Sequence, residues 1–136
     1  MTAASQRDLQ TIAPYFFVGD IIRAAEYYRD KLGFAFDRYW GDPPGFVIVY
    51  RDGVHVMLRA GHDGGRPHPN RTLDEHAWDA YIWVRDANAM HEELKGRLAM
   101  ITRSPNDTFY GCWEFEVCDL DGHIICFGQV LENAGS

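Results

Sequence analysis

Two glutamates, Glu114 and Glu116, stand two residues apart in the run Cys112-Trp113-Glu114-Phe115-Glu116-Val117. On a strand, residues i and i+2 share one face, so these carboxylates lie close enough to couple. Such a pair attracts a cation, or acts as general acid and base once the charge on one raises the pKa of the other. Cys126 offers a thiol, but no histidine or carboxylate partner can be assigned to it from sequence, and buried free cysteines are commonly inert. Of six histidines, His62, His68 and His76 crowd one Gly/Pro-rich stretch. Their spacing matches no ligand motif, which favours solvated loop imidazoles over a metal cluster. His55 falls on a strand two residues before Met57 and shares its face. His91 falls on a helix and is expected to be exposed. His123 follows the turn pair Asp121-Gly122.

The chain around these groups has 136 residues, 13 basic and 20 acidic, for a formal net charge of −7. That length suits one domain spanning 1–136 or two half-units sharing a core. Hydrophobic residues make up 46%, enough for a packed interior. No apolar run reaches the roughly 18 residues of a membrane span. The start, MTAASQRDLQ, lacks an apolar secretory core, so the expectation is a cytoplasmic protein with no membrane partner. The acidic balance argues against nucleic acid and suits a neutral or cationic ligand. Cys112, Cys118 and Cys126 are odd in number and have no C-x-x-C spacing, which fits reduced thiols better than a disulfide framework. The sequon Asn70-Arg71-Thr72 is read as chance.

The elements that must position these groups are written twice. At an offset of 66 residues Tyr15 meets Tyr81, Phe17 meets Trp83, Val18 meets Val84 and Asp20 meets Asp86. Glu26, Lys31 and Leu32 then meet Glu92, Arg97 and Leu98; after three extra residues Asp52-Gly53 meets Asp121-Gly122. Each copy reads strand, helix, then three strands. In the first, Ile12–Val18 predicts a strand and Asp20 a helix N-cap. Ile21, Ala24, Ala25, Tyr28 and Leu32 recur at helical spacing, and Gly33 is the stop. Phe34–Trp40, Phe46–Tyr50 and Val54–Arg59 predict strands. The second copy predicts a strand over 79–84, a helix over 86–97, and strands near 99–103, 112–117 and 123–127. Module one covers about 11–60, a linker about 61–77, and module two about 78–129. The expected fold is α+β: two tandem βαβββ modules whose curved mixed sheets form an open cleft.

The stretches VGDIIRAAEYYRDKLGF and FYGCWEFEVCDLDGHIICFGQ carry a family resemblance. The first resembles D-x-x-x-A-x-x-F/Y-Y-x-x-x-L-G-F of the vicinal oxygen chelate superfamily, which holds glyoxalase I, extradiol dioxygenases and bleomycin-resistance proteins. The second resembles W-G-x-x-E-F-x-x-x-D-P-D-G-n-x-x-x-F-G-Q of the bleomycin-resistance branch, with Tyr110 where tryptophan is usual and Leu120 where proline is usual. The likeness spans roughly residues 11–129. It implies a homodimer with grooves between chains, and Pro14 is compatible with strand exchange there.

The superfamily's enzymes use a divalent metal whose ligands come from the first and last strands of each module. By the resemblance those slots fall on Ala13 and Asp79, and on Met57 and Cys126. Ala13 cannot ligate and Met57 is a poor ligand for a hard ion, so no metal and no other cofactor is expected. Alternation places Tyr15, Phe17, Phe46, Ile48, Tyr50, His55 and Met57 on the open face of module one. It places Asp79, Tyr81, Trp83, Glu114, Glu116 and Cys126 on that of module two. Aromatic rings with a few acids favour flat, apolar or cationic molecules. The expectation is a non-catalytic protein that sequesters an aromatic or cationic small molecule, an antibiotic among the candidates. The alternatives are a glyoxalase-like lyase, isomerase or dioxygenase with atypical metal ligands, and a sensor or accessory domain.

Overall fold

The computed structural model describes residues 7–61 and 67–131. His62 lies outside the described residues. Module one runs β1 (Tyr15–Val18), α1 (Ile21–Leu32), β2 (Tyr39–Trp40), β3 (Phe46–Arg51) and β4 (Val54–Ala60). Module two runs β5 (Ala80–Trp83), α2 (Ala87–Gly96), β6 (Met100–Asp107), β7 (Cys112–Cys118) and β8 (Ile124–Val130). A short 3₁₀ turn, Asn70–Thr72, lies between them. Each module forms a mixed four-stranded sheet, in the orders β1-β4-β3-β2 and β5-β8-β7-β6. Among the described residues no helix is long and apolar enough to cross a membrane.

Both helices start as the sequence directs. Asp20 accepts a hydrogen bond from the Arg23 backbone N–H, and Asp86 from that of Ala89, each at 3.0 Å. Each cap satisfies one of the free N–H groups of a first helical turn. Helix α1 ends at Gly33, whose φ of 75° puts it in the left-handed region that glycine enters without steric cost.

Four strands differ from their sequence expectation, β8 among them, which runs on to Val130. Phe34–Trp40 is not one strand: Ala35 makes an isolated bridge to Tyr50, and only Tyr39–Trp40 pairs with β3. Strand β1 starts at Tyr15, and Ile12 is exposed. Strand β6 runs on to Asp107, through Pro105. It is an edge strand, where proline removes no ladder bond, and its register against β7 shifts on both sides of Arg103.

The helix-covered sheet faces share one core, with Phe16, Val18, Tyr28, Leu32, Val47 and Leu58 of module one packed with Leu94, Phe115, Ile125 and Phe127 of module two. The turn between β7 and β8 is a main latch. The Tyr28 hydroxyl donates to Asp119 Oδ2 at 2.8 Å, the Tyr27 hydroxyl donates to the Cys118 carbonyl at 2.7 Å, and Gly19 N–H donates to Asp121 Oδ1 at 2.9 Å. His123 stacks on Phe16 with ring centroids 4.3 Å apart, and its Nδ1 lies 2.9 Å from Asp119 Oδ2. Farther along the junction, Arg51 donates to both Glu93 carboxylate oxygens at 2.9 and 2.7 Å. The helix sides being joined, each sheet keeps its other face outward.

Candidate functional site

The outward face of the second sheet is built around a buried carboxylate. Strand β8 lies between β5 and β7, so Tyr81 stands opposite Cys126 and Cys126 opposite Glu116. Glu114, fully buried, faces the same side. The Tyr81 hydroxyl donates to Glu114 Oε1 at 2.7 Å. The Tyr110 hydroxyl donates to the same carboxylate, 2.7 Å from Oε1 and 2.8 Å from Oε2. No cation lies within ion-pair reach of Glu114 among the described residues. Hydrogen bonds from neutral hydroxyls therefore do the work of solvating it.

Tyr81 reaches that carboxylate across Gly128. A Cβ added at Gly128 would land on the Tyr81 hydroxyl. The glycine of the Cys126-Phe127-Gly128-Gln129 run is thus required by close approach of a ring, not by backbone conformation. Burial, with hydrogen bonds to Cys112 and Glu114, pushes the Tyr81 hydroxyl far above its ordinary range. Burial and the bond to Glu114 do the same to Tyr110. Both stay neutral donors. The Cys126 thiol is also pushed up strongly, by burial and then by Glu114, so it is a poor thiolate nucleophile.

Glu116 lies toward the rim of this cluster. Its carboxylate is 3.5 Å from Arg103 Nη1, with side chains 14% and 52% exposed respectively. Burial raises the Glu116 pKa, and the Arg103 charge pulls it partly back. Beside the acids, Trp78, Tyr81 and Trp83 form an aromatic row, with centroid spacings of 5.1 and 5.0 Å. Trp83 is 69% exposed.

The outward face of the first sheet carries Tyr15, Phe17, Phe46, Ile48, Tyr50, His55 and Met57, while Phe16, Val18, Val47, Val49, Val56 and Leu58 turn to the core. Tyr15 and Phe17 are about half exposed, and Tyr15 is ringed by Phe17 at 5.7 Å and Phe46 at 6.1 Å. A hollow of about 340 Å³ lies among Asp37, Trp40, Ile48, Tyr50 and His55. A larger cavity, about 660 Å³, lies between the modules, lined by Leu32, Phe34, Arg51, Glu93, Trp83 and Phe127 among others; it does not include the Glu114 cluster.

The structure thus brings Tyr81, Trp83, Glu114, Glu116 and Cys126 together on one sheet and leaves the seven candidates of module one on the other. Asp79 stands apart: its carboxylate accepts from the backbone N–H groups of Asn70 and Ile124 and ties the linker to β8. His91 is not on an open surface; its ring meets the Phe115 edge at 5.2 Å and its side chain is 16% exposed. His68 and His76 are exposed. Sequence reasoning missed Tyr110 and Gly128. The Tyr110 signal was available, since it stands four residues before Glu114 at a position marked in the motif as aromatic.

A family-model match over residues 9–127 places the chain in the Glyoxalase/Bleomycin resistance protein/Dioxygenase superfamily, and the chain belongs to it. No curated protein matches the chain with significance. Among solved structures, TioX from Micromonospora sp. ML1 is similar at 19% identity and a TM-score of 0.68, covering 88% of this chain and 98% of that one. A glyoxalase/bleomycin resistance protein/dioxygenase from Alicyclobacillus acidocaldarius is similar at 16% identity and a TM-score of 0.72, covering 90% and 92%. A glyoxalase-related enzyme from Clostridium phytofermentans gives 16% and 0.72, covering 92% and 98%. These likenesses show the shared fold.

The superfamily's enzymes raise the question of a divalent metal. The ligand atoms of Glu114, Glu116 and Cys126 all lie within 4.8 Å of one another. The Tyr81 and Tyr110 hydroxyls hydrogen-bond both Glu114 oxygens and Arg103 lies 3.5 Å from Glu116, so a divalent ion there would have to displace those partners and the Cys126 proton. In module one the matching cross-strand pair is Tyr15 with Met57, which offers no hard anionic donor.

Proposed function

We propose that this chain binds a planar, positively charged aromatic molecule on the outward face of its second sheet without a metal ion, and that it does so as a homodimer. The observation that carries the reading is the fully buried Glu114 carboxylate, whose side-chain partners among the described residues are neutral donors, set beside Glu116 and a largely exposed Trp83. No cation pairs directly with it among the described residues, and it lies in a region of reduced dielectric where charge acts strongly. The ligand's ring stacks on Trp83 and its cation approaches Glu116. Because Glu114 is covered by two rings, it acts on the ligand through its field and through the placement of Tyr81, not by contact. A partner subunit supplies the second wall of the groove with its first-sheet face, whose exposed Tyr15 and Phe17 are otherwise left in water. Binding and release, with no bond made or broken, is the whole activity.

The test is a titration with N-methylacridinium, followed by quenching of tryptophan fluorescence. Wild type binds; Trp83→Ala and Glu116→Gln each weaken binding about tenfold or more, as loss of a ring stack or a charge-assisted bond implies. Sedimentation gives a species of twice the 15.6 kDa chain. Tight binding of an anionic analogue in preference to the cation, or a stoichiometric tightly held metal in the purified protein, overturns the reading.

A further inference from the structure

Three arginine–glutamate ion pairs occur among the described residues, and those of Arg51 and Arg103 are built differently. Arg51 and Glu93 meet through two bonds of 2.9 and 2.7 Å, with the arginine also donating to the Leu32 carbonyl and 24% exposed. That is a bidentate, three-bond arrangement which fixes the guanidinium at the module junction. Arg103 and Glu116 meet through one contact of 3.5 Å, and Arg103 is 52% exposed. Its other hydrogen bond, 3.0 Å to Asn106 Oδ1, is made to its own strand. The register of β6 against β7 shifts between Ile101 and Arg103 and again between Arg103 and Asn106. Irregularities of this kind re-aim a side chain at a sheet edge. Arg103 stands opposite Glu116 in the ladder, so the re-aimed guanidinium lies over the carboxylate at the rim of the Glu114 cluster.

We propose that Arg103 is a displaceable internal counter-ion: its guanidinium occupies the place of the ligand's positive group, and binding exchanges one cation for the other over Glu116. The proposal rests on the reading of this face as a cation site and assigns its charge selectivity to one residue. A loose pair is suited to the exchange. With the guanidinium half in solvent, moving it away costs little when another cation takes its place over Glu116, whereas leaving Glu116 bare beside Glu114 costs much more. A neutral aromatic cannot take over the charge and leaves Arg103 in place. Arg103 therefore lowers affinity for all cations and rejects those whose charge cannot reach Glu116.

The experiment is a titration at pH 8 with N-methylacridinium and, in parallel, with neutral acridine, read by tryptophan quenching. The proteins are wild type, Arg103→Gln, Arg103→Lys, Glu116→Gln and the Arg103→Gln/Glu116→Gln double variant, each checked for an unchanged melting profile. Arg103→Gln binds the methylated cation about tenfold tighter and acridine as wild type does; Arg103→Lys stays near wild type for both. In the Glu116→Gln background, Arg103→Gln has no further effect, since the competition has lost its object. If wild type binds the cation and Arg103→Gln leaves its affinity unchanged or weaker, the counter-ion role is overturned while the reading of the site stands. If no variant binds the cation, both fall. Preferential binding of the neutral ring by every variant overturns both the cation reading of the site and the counter-ion role.

Discussion

The two sheets share topology and register, yet their outward faces have diverged into different chemistry. Tyr15 opposite Met57 in module one corresponds to Tyr81 opposite Cys126 in module two. Tyr15 is half exposed beside Phe17 and Phe46, and its hydroxyl makes no hydrogen bond among the described residues; Tyr81 lies over Gly128 and binds a buried carboxylate. The same slot is thus a patch of greasy surface in one module and part of a polar cluster in the other. The difference starts at the neighbouring strand: Ile48 stands opposite Met57 in β3, where β7 offers Glu116 opposite Cys126 and Glu114 two residues before it. Placing an acid there obliged the second module to supply donors, and Tyr81 and Tyr110 are those donors. The turns differ in the same way. Asp52-Gly53-Val54 closes the hairpin of module one, whereas Asp121-Gly122-His123 also latches the modules together.

The largest effect should come from filling the space over Gly128. Gly128→Ala drives Tyr81 off Glu114, loses a bond to a buried charge and overpacks the sheet, for a loss of about 3 kcal/mol in urea unfolding. Gly45→Ala in module one, where an added Cβ meets nothing within 4 Å, should change stability by less than about 0.5 kcal/mol. Equal losses at the two glycines would erase the contrast between the modules. Next, Tyr81→Phe removes only the hydroxyl and should cost about 2 kcal/mol, against under about 0.5 kcal/mol for Tyr15→Phe.

A pH series tests the latch. Burial opposes a charge on His123, but the hydrogen bond and charge of Asp119, with Asp79 and Asp121 nearby, outweigh it and raise its pKa above the ordinary 6.5. A raised folded-state pKa means a stabilisation fully present below pH 6.5 and lost as pH rises through the folded value. The wild-type Tm should therefore fall from pH 6 upward more steeply than that of His123→Gln, which should start lower. Parallel profiles would deny His123 its charged role. The smallest effect on stability is expected at Trp83. At 69% exposure, Trp83→Ala should shift unfolding by under about 0.5 kcal/mol, while weakening binding of a planar cation. Unfolding of Trp83→Ala without ligand would make that ring part of the core instead.

Much of this architecture is legible without coordinates. The Asp20 and Asp86 caps, the Gly33 stop, the Asp-Gly turns and the 66-residue offset are local signals, and the helices and sheet faces follow from them. Alternation also sorts Tyr15 and Phe17 from Phe16 and Val18, because period two is a property of the strand itself. It was less informative at β2 and β6. There the edge position, not residue preference, decides where pairing begins and ends.

What the chain determined by itself is the set of elements and the side of each sheet on which every residue lies. What only the tertiary structure decided is who covers whom. Glu114 and Glu116 have the same face and nearly the same neighbours in sequence, yet one is fully buried and the other reaches the rim. That outcome depends on β8 lying between β5 and β7, which lets Tyr81, 33 residues away, lean across Gly128 to Glu114. It depends as well on a loop that returns Tyr110 to the same oxygens. His123 is a similar case, since nothing next to it in the chain announces Phe16 as its stacking partner. Periodicity specifies a direction, and burial depends on non-local pairing of strands that the direction alone does not encode.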